Sequence, residues 1–421
     1  MSKLWKVTPL SKCLSKVIDY RGRTPKKLGY EWASQGYRAL SANNVKFDGL
    51  DKIDSINYAD EALYKKWMKE EVNRGDILLT SEAPSGQVML WDSDEKIVLS
   101  QRLFALRADS EIDPIFLKYF LQSPLGQKEI FRNNSGSTVA GISARTFENI
   151  LVHHPNQKDV QQKIGSVLYA LDKKIDCNNR INAELEAMAK TLYDYWFVQF
   201  DFPDASGKPY KSSGGKMVYN ATLKREIPLG WHDSNVLAVA DLLGGGTPTK
   251  KKPEYWSGNI PFFTPTDADG SIFKFSTADY ITKEGLKGSS TKLFSKHTVF
   301  ITARGSVGRL VLAGVEMAMN QSCYALRAKA GISHVFLFFL AKELIHHLHV
   351  KSSGSVFDSI VSNDIELTKL AIPKGEVIDK FAAVVEPAFE KIANNTKENQ
   401  QLAQLRDWLL PLLMNGQVTV A

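Results

Sequence analysis

Cysteine is scarce: Cys13, Cys177 and Cys323 are the only three in 421 residues, and they lie far apart. No CxxC or CxxxC spacing exists, so a thiolate zinc site is not expected, nor any other bound metal. A disulfide framework is excluded as well, which fits a reducing compartment. Long apolar runs are also missing. The N-terminal stretch Met1-Ser2-Lys3-Leu4-Trp5-Lys6 has no apolar core of a secretory signal. The longest apolar run, Val335 to Ala341, is about a third of the ~20 residues that a membrane span needs. A cytoplasmic protein with no membrane association is the expectation.

Catalytic signatures are absent in the same way. There is no GxxxxGK[ST] phosphate loop, no GxGxxG after a strand, no GxSxG elbow and no HExxH. Gly244-Gly245-Gly246 leads into Thr247-Pro248, and a proline there does not open an anion-binding helix. His346, His347 and His349 contain no i, i+4 pair and read as an exposed helix end; His153-His154 reads as a domain edge. Asp94-Glu95-Lys96 has the carboxylate-x-Lys spacing of a nuclease, but no Pro-Asp partner lies upstream, so it reads as a solvated turn. No Asn/Asp-Pro-Pro-Tyr/Phe tetrapeptide exists, as an exocyclic-amine methyltransferase would carry. The chain shows no catalytic machinery of its own.

What is present is a duplicated, mildly basic, globular chain. Hydrophobic residues make up 43%, aromatics 10% and charged residues 24%, which argues against disorder. Lys and Arg number 53 against 46 Asp and Glu, a net charge of +7. This permits an acidic polymer as partner without demanding one. Residues 97–109 (IVLSQRLFALRAD) and 317–329 (MAMNQSCYALRAK) match at five of 13 positions. Other landmarks keep the same order. Arg23-Thr24-Pro25 faces Gly246-Thr247-Pro248, and Ile77–Thr80 faces Val299–Thr302. Ser135-Gly136-Ser137 faces Ser353-Gly354-Ser355, and His154-Pro155 faces Ile372-Pro373. The offsets drift only from 223 to 218. Two similar halves are therefore expected.

Each half opens with a region rich in Gly, Thr and β-branched runs. Short strands are expected at Ile77–Thr80, Val88–Trp91, Phe104–Leu106, Val299–Thr302, Leu310–Leu312 and Tyr324–Leu326, with helices at Pro114–Gln122 and His334–Leu348. Each half then closes with a long amphipathic helix. In the first, Val160, Ile164, Val167, Leu171, Ile175, Ile181, Leu185, Met188, Leu192 and Tyr195 recur at steps of mostly 3 and 4, with Asn178 as a polar residue on the seam. In the second the stripe reads Val377, Phe381, Val384, Ala388, Asn395, Leu402, Leu405, Leu409 and Leu412, with a kink expected at Pro387 and a kink or end at Pro411. About 40 residues per helix is roughly 60 Å. Antiparallel pairing is the simplest way to bury both stripes. The expected fold is α+β: two similar globular modules separated by two long helices packed as an antiparallel coiled coil, with an internal pseudo-twofold repeat. The expected boundaries are 1–155 for the first module, 156–200 for the first helix, 201–230 for a Pro/Gly/Ser-rich linker, 231–373 for the second module and 374–421 for the second helix.

These ordered features resemble the DNA-specificity subunit of Type I restriction-modification systems over essentially the whole chain. The resemblance rests on the repeated x-Thr-Pro entries, the aliphatic strands ending in Thr, the Gln-x-x-x-Ala-Leu-Arg-Ala segments from Gln101 and Gln321, and the Ser-Gly-Ser pairs. It also rests on Tyr195-Trp196-Phe197-Val198-Gln199-Phe200-Asp201-Phe202-Pro203 and on Ile227-Pro228-Leu229-Gly230-Trp231. It implies that each module is a target recognition domain reading one half of a split, asymmetric site on double-stranded DNA. It implies that the helices set the gap, about two DNA turns for a 60 Å rod, and dock two methyltransferase subunits. Those partners would bind S-adenosylmethionine, flip an adenine and methylate its N6. Motor-nuclease subunits using ATP and Mg would join for cleavage. One copy of this chain, with no cofactor of its own, is expected per complex.

The candidate DNA-contacting residues are Arg21, Arg23, Lys26, Asn43, Asn44 and Ser137 in the first module, and Thr247, Thr249, Lys250, Thr266, Arg304 and Ser355 in the second. These are side-chain types that hold phosphates and read base edges. The candidate helix-pair residues are Leu171, Ile175, Leu185, Leu192, Val385, Leu402 and Leu409. Two other readings stand beside this one: an enzyme with an unrecognised catalytic site, and a coiled-coil scaffold that binds proteins without DNA recognition.

Overall fold

The computed structural model describes residues 4–132, 141–351 and 359–420. The chain divides into two compact units, residues 1–176 with 401–421, and residues 177–400.

Unit 1 holds strands β1 (Leu14–Asp19), β2 (Tyr37–Leu40), β3 (Asn57–Ala59), β4 (Ile77–Thr80), β5 (Val88–Leu90), β6 (Val98–Leu99) and β7 (Leu103–Ala108), then helices α1 (Pro114–Gln122) and α2 (Pro124–Phe131). An antiparallel sheet runs β1-β7-β4-β5, and a smaller one runs β3-β2-β6 with β2 and β6 parallel. All four side chains of β4 are buried, because the strand is paired on both edges and covered on both faces. Its sequence is accordingly a continuous apolar run rather than an alternation. Helix α1 starts where Asp113 accepts the Phe116 amide at 2.8 Å, with Pro114 in the first turn.

The same plan recurs in unit 2. Its strands are β8 (Ala240–Gly244), β9 (Trp256–Phe263), β10 (Phe273–Lys274), β11 (Asp279–Ile281), β12 (Val299–Thr302), β13 (Leu310–Ala313), β14 (Ala318–Met319) and β15 (Cys323–Ala328). The larger sheet runs β8-β15-β12-β13-β10 and the smaller β11-β9-β14. Only β10 lacks a counterpart in the larger sheet of unit 1.

Helix α3 (Lys158–Tyr193), ending in a π-helical turn at Asp194–Val198, starts in unit 1 and ends in unit 2. Helix α4 (His334–Lys351) belongs to unit 2, and helix α5 (Gly375–Met414) passes from unit 2 to unit 1. It continues through both Pro387 and Pro411, so neither ends it. In unit 2 the two long helices run antiparallel. Asn178 Nδ2 donates to Glu398 Oε2 and Asn399 Oδ1 at 2.8 and 2.9 Å, while Asn395 Nδ2 donates to Asn182 Oδ1 at 2.9 Å. Asn178 and Asn395 are each 1% exposed. The seam differs from the sequence reading in detail. Val384, Leu405, Met188 and Tyr195 are exposed; Phe381 and Val385 are buried, and Ile378, Phe389 and Ile392, which the reading did not name, line the same face of α5. Leu185 and Leu192 pack on that same core. Leu409 packs on the core of unit 1, and Leu171, Ile175 and Leu402 are half-buried.

The segment 201–230 is not a loose linker. A hairpin pairs Met217–Asn220 with Arg225–Pro228, and Phe202 stacks on both Tyr210 and Trp231 with centroids 4.7 and 5.4 Å apart. Aromatic burial there outweighs the Gly/Ser content.

The helices are fixed to the domain differently in each unit. In unit 1, Lys118 Nζ lies 2.8 Å from Asp172 Oδ2, Arg406 Nη1 lies 2.9 Å from both Asp172 Oδ1 and Asp48 Oδ1, and the Tyr119 hydroxyl donates to Asp172. Burial alone would raise the Asp172 pKa; Lys118, Tyr119 and Arg406 together bring it below its ordinary value. In unit 2 the matching positions of the repeat are Phe338, Phe339, Phe389 and Ala189, all buried. Asp172→Asn leaves the Lys118 ammonium buried without a counter-charge. It is expected to destabilise unit 1 by about 3–5 kcal/mol, read by urea denaturation at pH 7. A carboxylate with a lowered folded pKa stabilises above its unfolded pKa and loses that contribution on acidification. The gap between variant and parent should therefore close as the pH falls below about 4.

Candidate nucleic-acid interface

In each unit the same end of the sheets gathers a set of loops. The strand pairings fix this end: Thr80 lies opposite Leu103 and Asp19 opposite Phe104 in unit 1, and Thr302 lies opposite Cys323 and Gly244 opposite Tyr324 in unit 2. Loops leaving β1, β2 and β4 therefore meet the turn entering β7. Those leaving β8, β9 and β12 meet the turn entering β15.

The two clusters are held by matching hydrogen bonds. Ser81 N donates to Arg102 O at 2.8 Å, as Ala303 N does to Ser322 O at 2.8 Å. Ile142 N donates to Ser81 O at 2.9 Å, as Ile360 N does to Ala303 O at 2.9 Å. Ser100 N donates to Leu40 O at 2.8 Å, as Asn320 N does to Phe263 O at 2.9 Å. The buried hydroxyls of Thr80 and Thr302 accept from Gln87 N and Arg309 N at 2.8 and 2.9 Å. After β2 and β9 comes the same reciprocal cap. Asn44 Oδ1 accepts from Ser41 N and Oγ at 3.0 and 2.8 Å, and Asp267 Oδ2 accepts from Thr264 N and Oγ1, both at 2.8 Å.

Against this frame the sequence candidates separate. Asn44 is 3% exposed and holds its loop closed, leaving exposed Asn43 at the tip; Thr266 is the exposed tip in unit 2. Arg21 belongs to the cluster, but its guanidinium is bidentate to Asp19 at 2.9 and 2.8 Å, donates to Ile142 O at 2.9 Å and lies over the Phe104 ring. It braces the loops. Arg23 turns to Trp67 O and the Tyr20 ring, and Lys26 is exposed on the short helix Pro25–Leu28. In unit 2 the Thr247 hydroxyl donates to Gln321 Oε1, and the Thr266 hydroxyl meets that of Thr264 at 2.8 Å. Arg304 is exposed, and its backbone is bonded to Ser322 O at 3.2 Å. Thr249 and Lys250 are exposed farther along their loop, where Thr249 O accepts from the Trp256 indole at 3.2 Å. Ser137 and Ser355 lie outside the described residues.

The structure adds residues that the sequence reading used only as landmarks. Gln101 and Gln321 are exposed at the turn entering β7 and β15. Arg102 follows at φ 61°, a left-handed conformation that costs a non-glycine residue roughly 1–2 kcal/mol, and its Nε lies 3.6 Å from Glu82 Oε2. The repeat itself was the available signal, since Gln101 and Gln321 are part of it. The Asp94-Glu95-Lys96 triplet is fully paired within unit 1, to Arg74, Arg38 and Lys96–Glu71 contacts respectively. Among the described residues, no three His, Cys, Asp or Glu side chains are placed to hold a metal ion, and no helix is long and apolar enough to cross a membrane.

Chemically, such a cluster offers hydroxyls, amides and guanidinium groups on a rigid sheet end, in two copies with different decorations. Comparison with known proteins agrees. The family model of the Type I restriction modification DNA specificity domain matches twice, at residues 11–187 and 228–404. The chain is 25% identical over 351 residues to the Type I restriction enzyme MjaIX specificity subunit of Methanocaldococcus jannaschii, covering 82% of this chain and 78% of that one. It is 23% identical to the HindI specificity subunit of Haemophilus influenzae, covering 83% and 88%. The EcoR124I/EcoR124II specificity subunit of Escherichia coli is 31% identical over 182 residues, 39% of this chain and 45% of that one. The fold of this chain is similar to the crystal structure of the Type-I restriction-modification S subunit from M. genitalium, with a TM-score of 0.60 over 98% and 97% of the two chains at 15% identity. With both halves matched by the family model and the same loop cluster in each, the chain belongs to the Type I restriction-modification DNA-specificity family.

Proposed function

We propose that each loop cluster reads one half of a bipartite, asymmetric DNA site. The helices α3 and α5 set the unread gap and dock two adenine-N6 methyltransferase subunits, which bind S-adenosylmethionine. Through them the chain recruits motor-nuclease subunits that use ATP and Mg. The chain itself supplies specificity and no chemistry, as a single cytoplasmic copy per complex. One observation carries this reading: two loop clusters with matching internal hydrogen bonds present different exposed side chains, such as Asn43 against Thr266. A fixed frame with exchangeable tips is what reading two different half-sites requires. Lys26, Lys250, Thr249 and Thr247 flank the clusters as phosphate-holding groups, and Ser137 and Ser355 remain proposed contacts on sequence grounds. Phosphate contacts position a protein on the duplex; base-edge contacts specify.

The test is co-expression with the methyltransferase subunit of the same locus, followed by single-molecule mapping of N6-methyladenine. One new split motif with a fixed gap is expected. Exchanging residues 1–155 for those of a relative should then change one half alone. A soluble complex of both proteins with no new methylation, and with no salt-dependent DNA binding, would select the scaffold reading instead.

The loop frame gives a second outcome. Asp267→Ala removes the cap on Thr264 and the bond from Ala278 N. It should cost about 1 kcal/mol, speed hydrogen exchange of the 264–267 amides, and degrade recognition of the second half-site while leaving the first intact.

A further inference from the structure

The two halves of this chain form a built-in comparison. At matched positions in the same frame, identical exposed residues serve what both half-sites share, and different ones serve what distinguishes them. Gln101 and Gln321 are one such identical pair. The sharpest difference lies beside them, where the loop after β4 or β12 meets the turn entering β7 or β15. In unit 2 that junction carries Arg304 on the loop and Ser322 on the turn. In unit 1 it carries Glu82 on the loop and Arg102 on the turn. The residues share one backbone junction, since Ser81 N bonds Arg102 O and Ala303 N bonds Ser322 O. Each junction thus holds a single arginine, delivered from opposite sides.

The surroundings of the two guanidinium groups differ in a telling way. Arg304 is exposed and makes no ion pair or side-chain hydrogen bond among the described residues. Arg102 lies beside Glu82, with the two side chains 54% and 40% exposed. A carboxylate next to a phosphate contact would repel the phosphate. The same carboxylate beside a base-reading arginine orients the guanidinium plane and leaves its outer N–H donors free. A planar fork of donors fits O6 and N7 of guanine, the commonest specific major-groove contact.

We propose that Arg102 and Arg304 each read one guanine, Arg102 in the half-site of unit 1 with Glu82 as its positioning residue, and Arg304 in that of unit 2. This rests on the proposed DNA-reading function. The test uses the full chain co-expressed with its methyltransferase subunit, with N6-methyladenine mapped for Arg304→Ala, Arg304→Lys, Arg102→Ala, Arg102→Lys and Glu82→Gln. Both Arg304 variants should relax one G·C position in one half, losing roughly 5- to 150-fold discrimination there. Both Arg102 variants should relax one G·C position in the other half, and Glu82→Gln should relax that same position less. The untouched half of each motif reports that the chain is folded. Alanine variants that lower methylation evenly with no relaxed position would mark phosphate contacts and overturn the proposal, and lysine variants that keep full specificity would overturn the planar-fork contact. If the parent complex yields no split motif at all, the DNA-reading function fails first, and the two failures are thereby distinguished.

Discussion

The apolar stripes of α3 and α5 must leave water, and in each unit they are buried against the domain as well as against one another. In unit 1, Ile164 and Leu168 share a core with Leu413 and Met414, which arrive from the far end of the chain. In unit 2, Tyr193, Trp196 and Phe197 share a core with Phe381, Val385 and Phe389. Unit 1 completes its interior only with residues from the far end of the chain, and unit 2 closes its own with helix segments from both of its ends. Burial of apolar area at about 25 cal/mol per Å² thus ties recognition domain and helix into one cooperative body, twice. The loop clusters inherit their rigidity from this, because the strands that carry them are buried on both faces.

Polar groups within these interiors supply what apolar packing does not. An apolar seam tolerates sliding; a buried amide does not, because every slipped register leaves donors and acceptors without partners. The Asn178–Asn399 and Asn395–Asn182 bonds are related by the same offset of 217 that relates the helices of the repeat. The layer is therefore nearly self-complementary and sits where the duplication brings like residues together. On the outer side of unit 1, Asp92 has its pKa lowered to about 2: burial pushes it up, and Lys173, Tyr169 and Arg74 outweigh that. That cluster fastens α3 to the domain from a second direction.

Much of this architecture was legible in the residues, and the exceptions are instructive. The duplication, the strands Ile77–Thr80 and Val299–Thr302, and both long helices follow from local pattern. The seam does not follow in full: the stripe runs through Val384 while the helix-pair residues include Val385, two equally apolar neighbours, and packing buries Val385 alone. The segment 201–230 looks like a linker by its Gly and Ser, yet Phe202, Tyr210 and Trp231 commit it to a core. At the interface, Arg21 has the right chemistry for DNA but finds Asp19 two residues away and Ile142 far along the chain. Asn44 is drawn inward by Ser41, three residues before it. Both fates depend on partners that a reading of residue types alone does not weigh.

The unlike junctions between helices and domains bear on how such a chain changes over generations. Repeated segments within one gene invite recombination between its own halves. A chain built from two first halves would place Ala189 where Arg406 completes the charge around Asp172 and Lys118. A chain built from two second halves would set Arg406 against Phe338, Phe339 and Phe389 with no Asp172 to pair it. The charged junction therefore acts as a mark of identity, penalising both internal rearrangements, since Asp172 comes from one half and Arg406 from the other. Exchange of a whole recognition module between related genes, with the helices left in place, keeps Asp172 and Arg406 together and asks of the incoming module only a counterpart to Lys118.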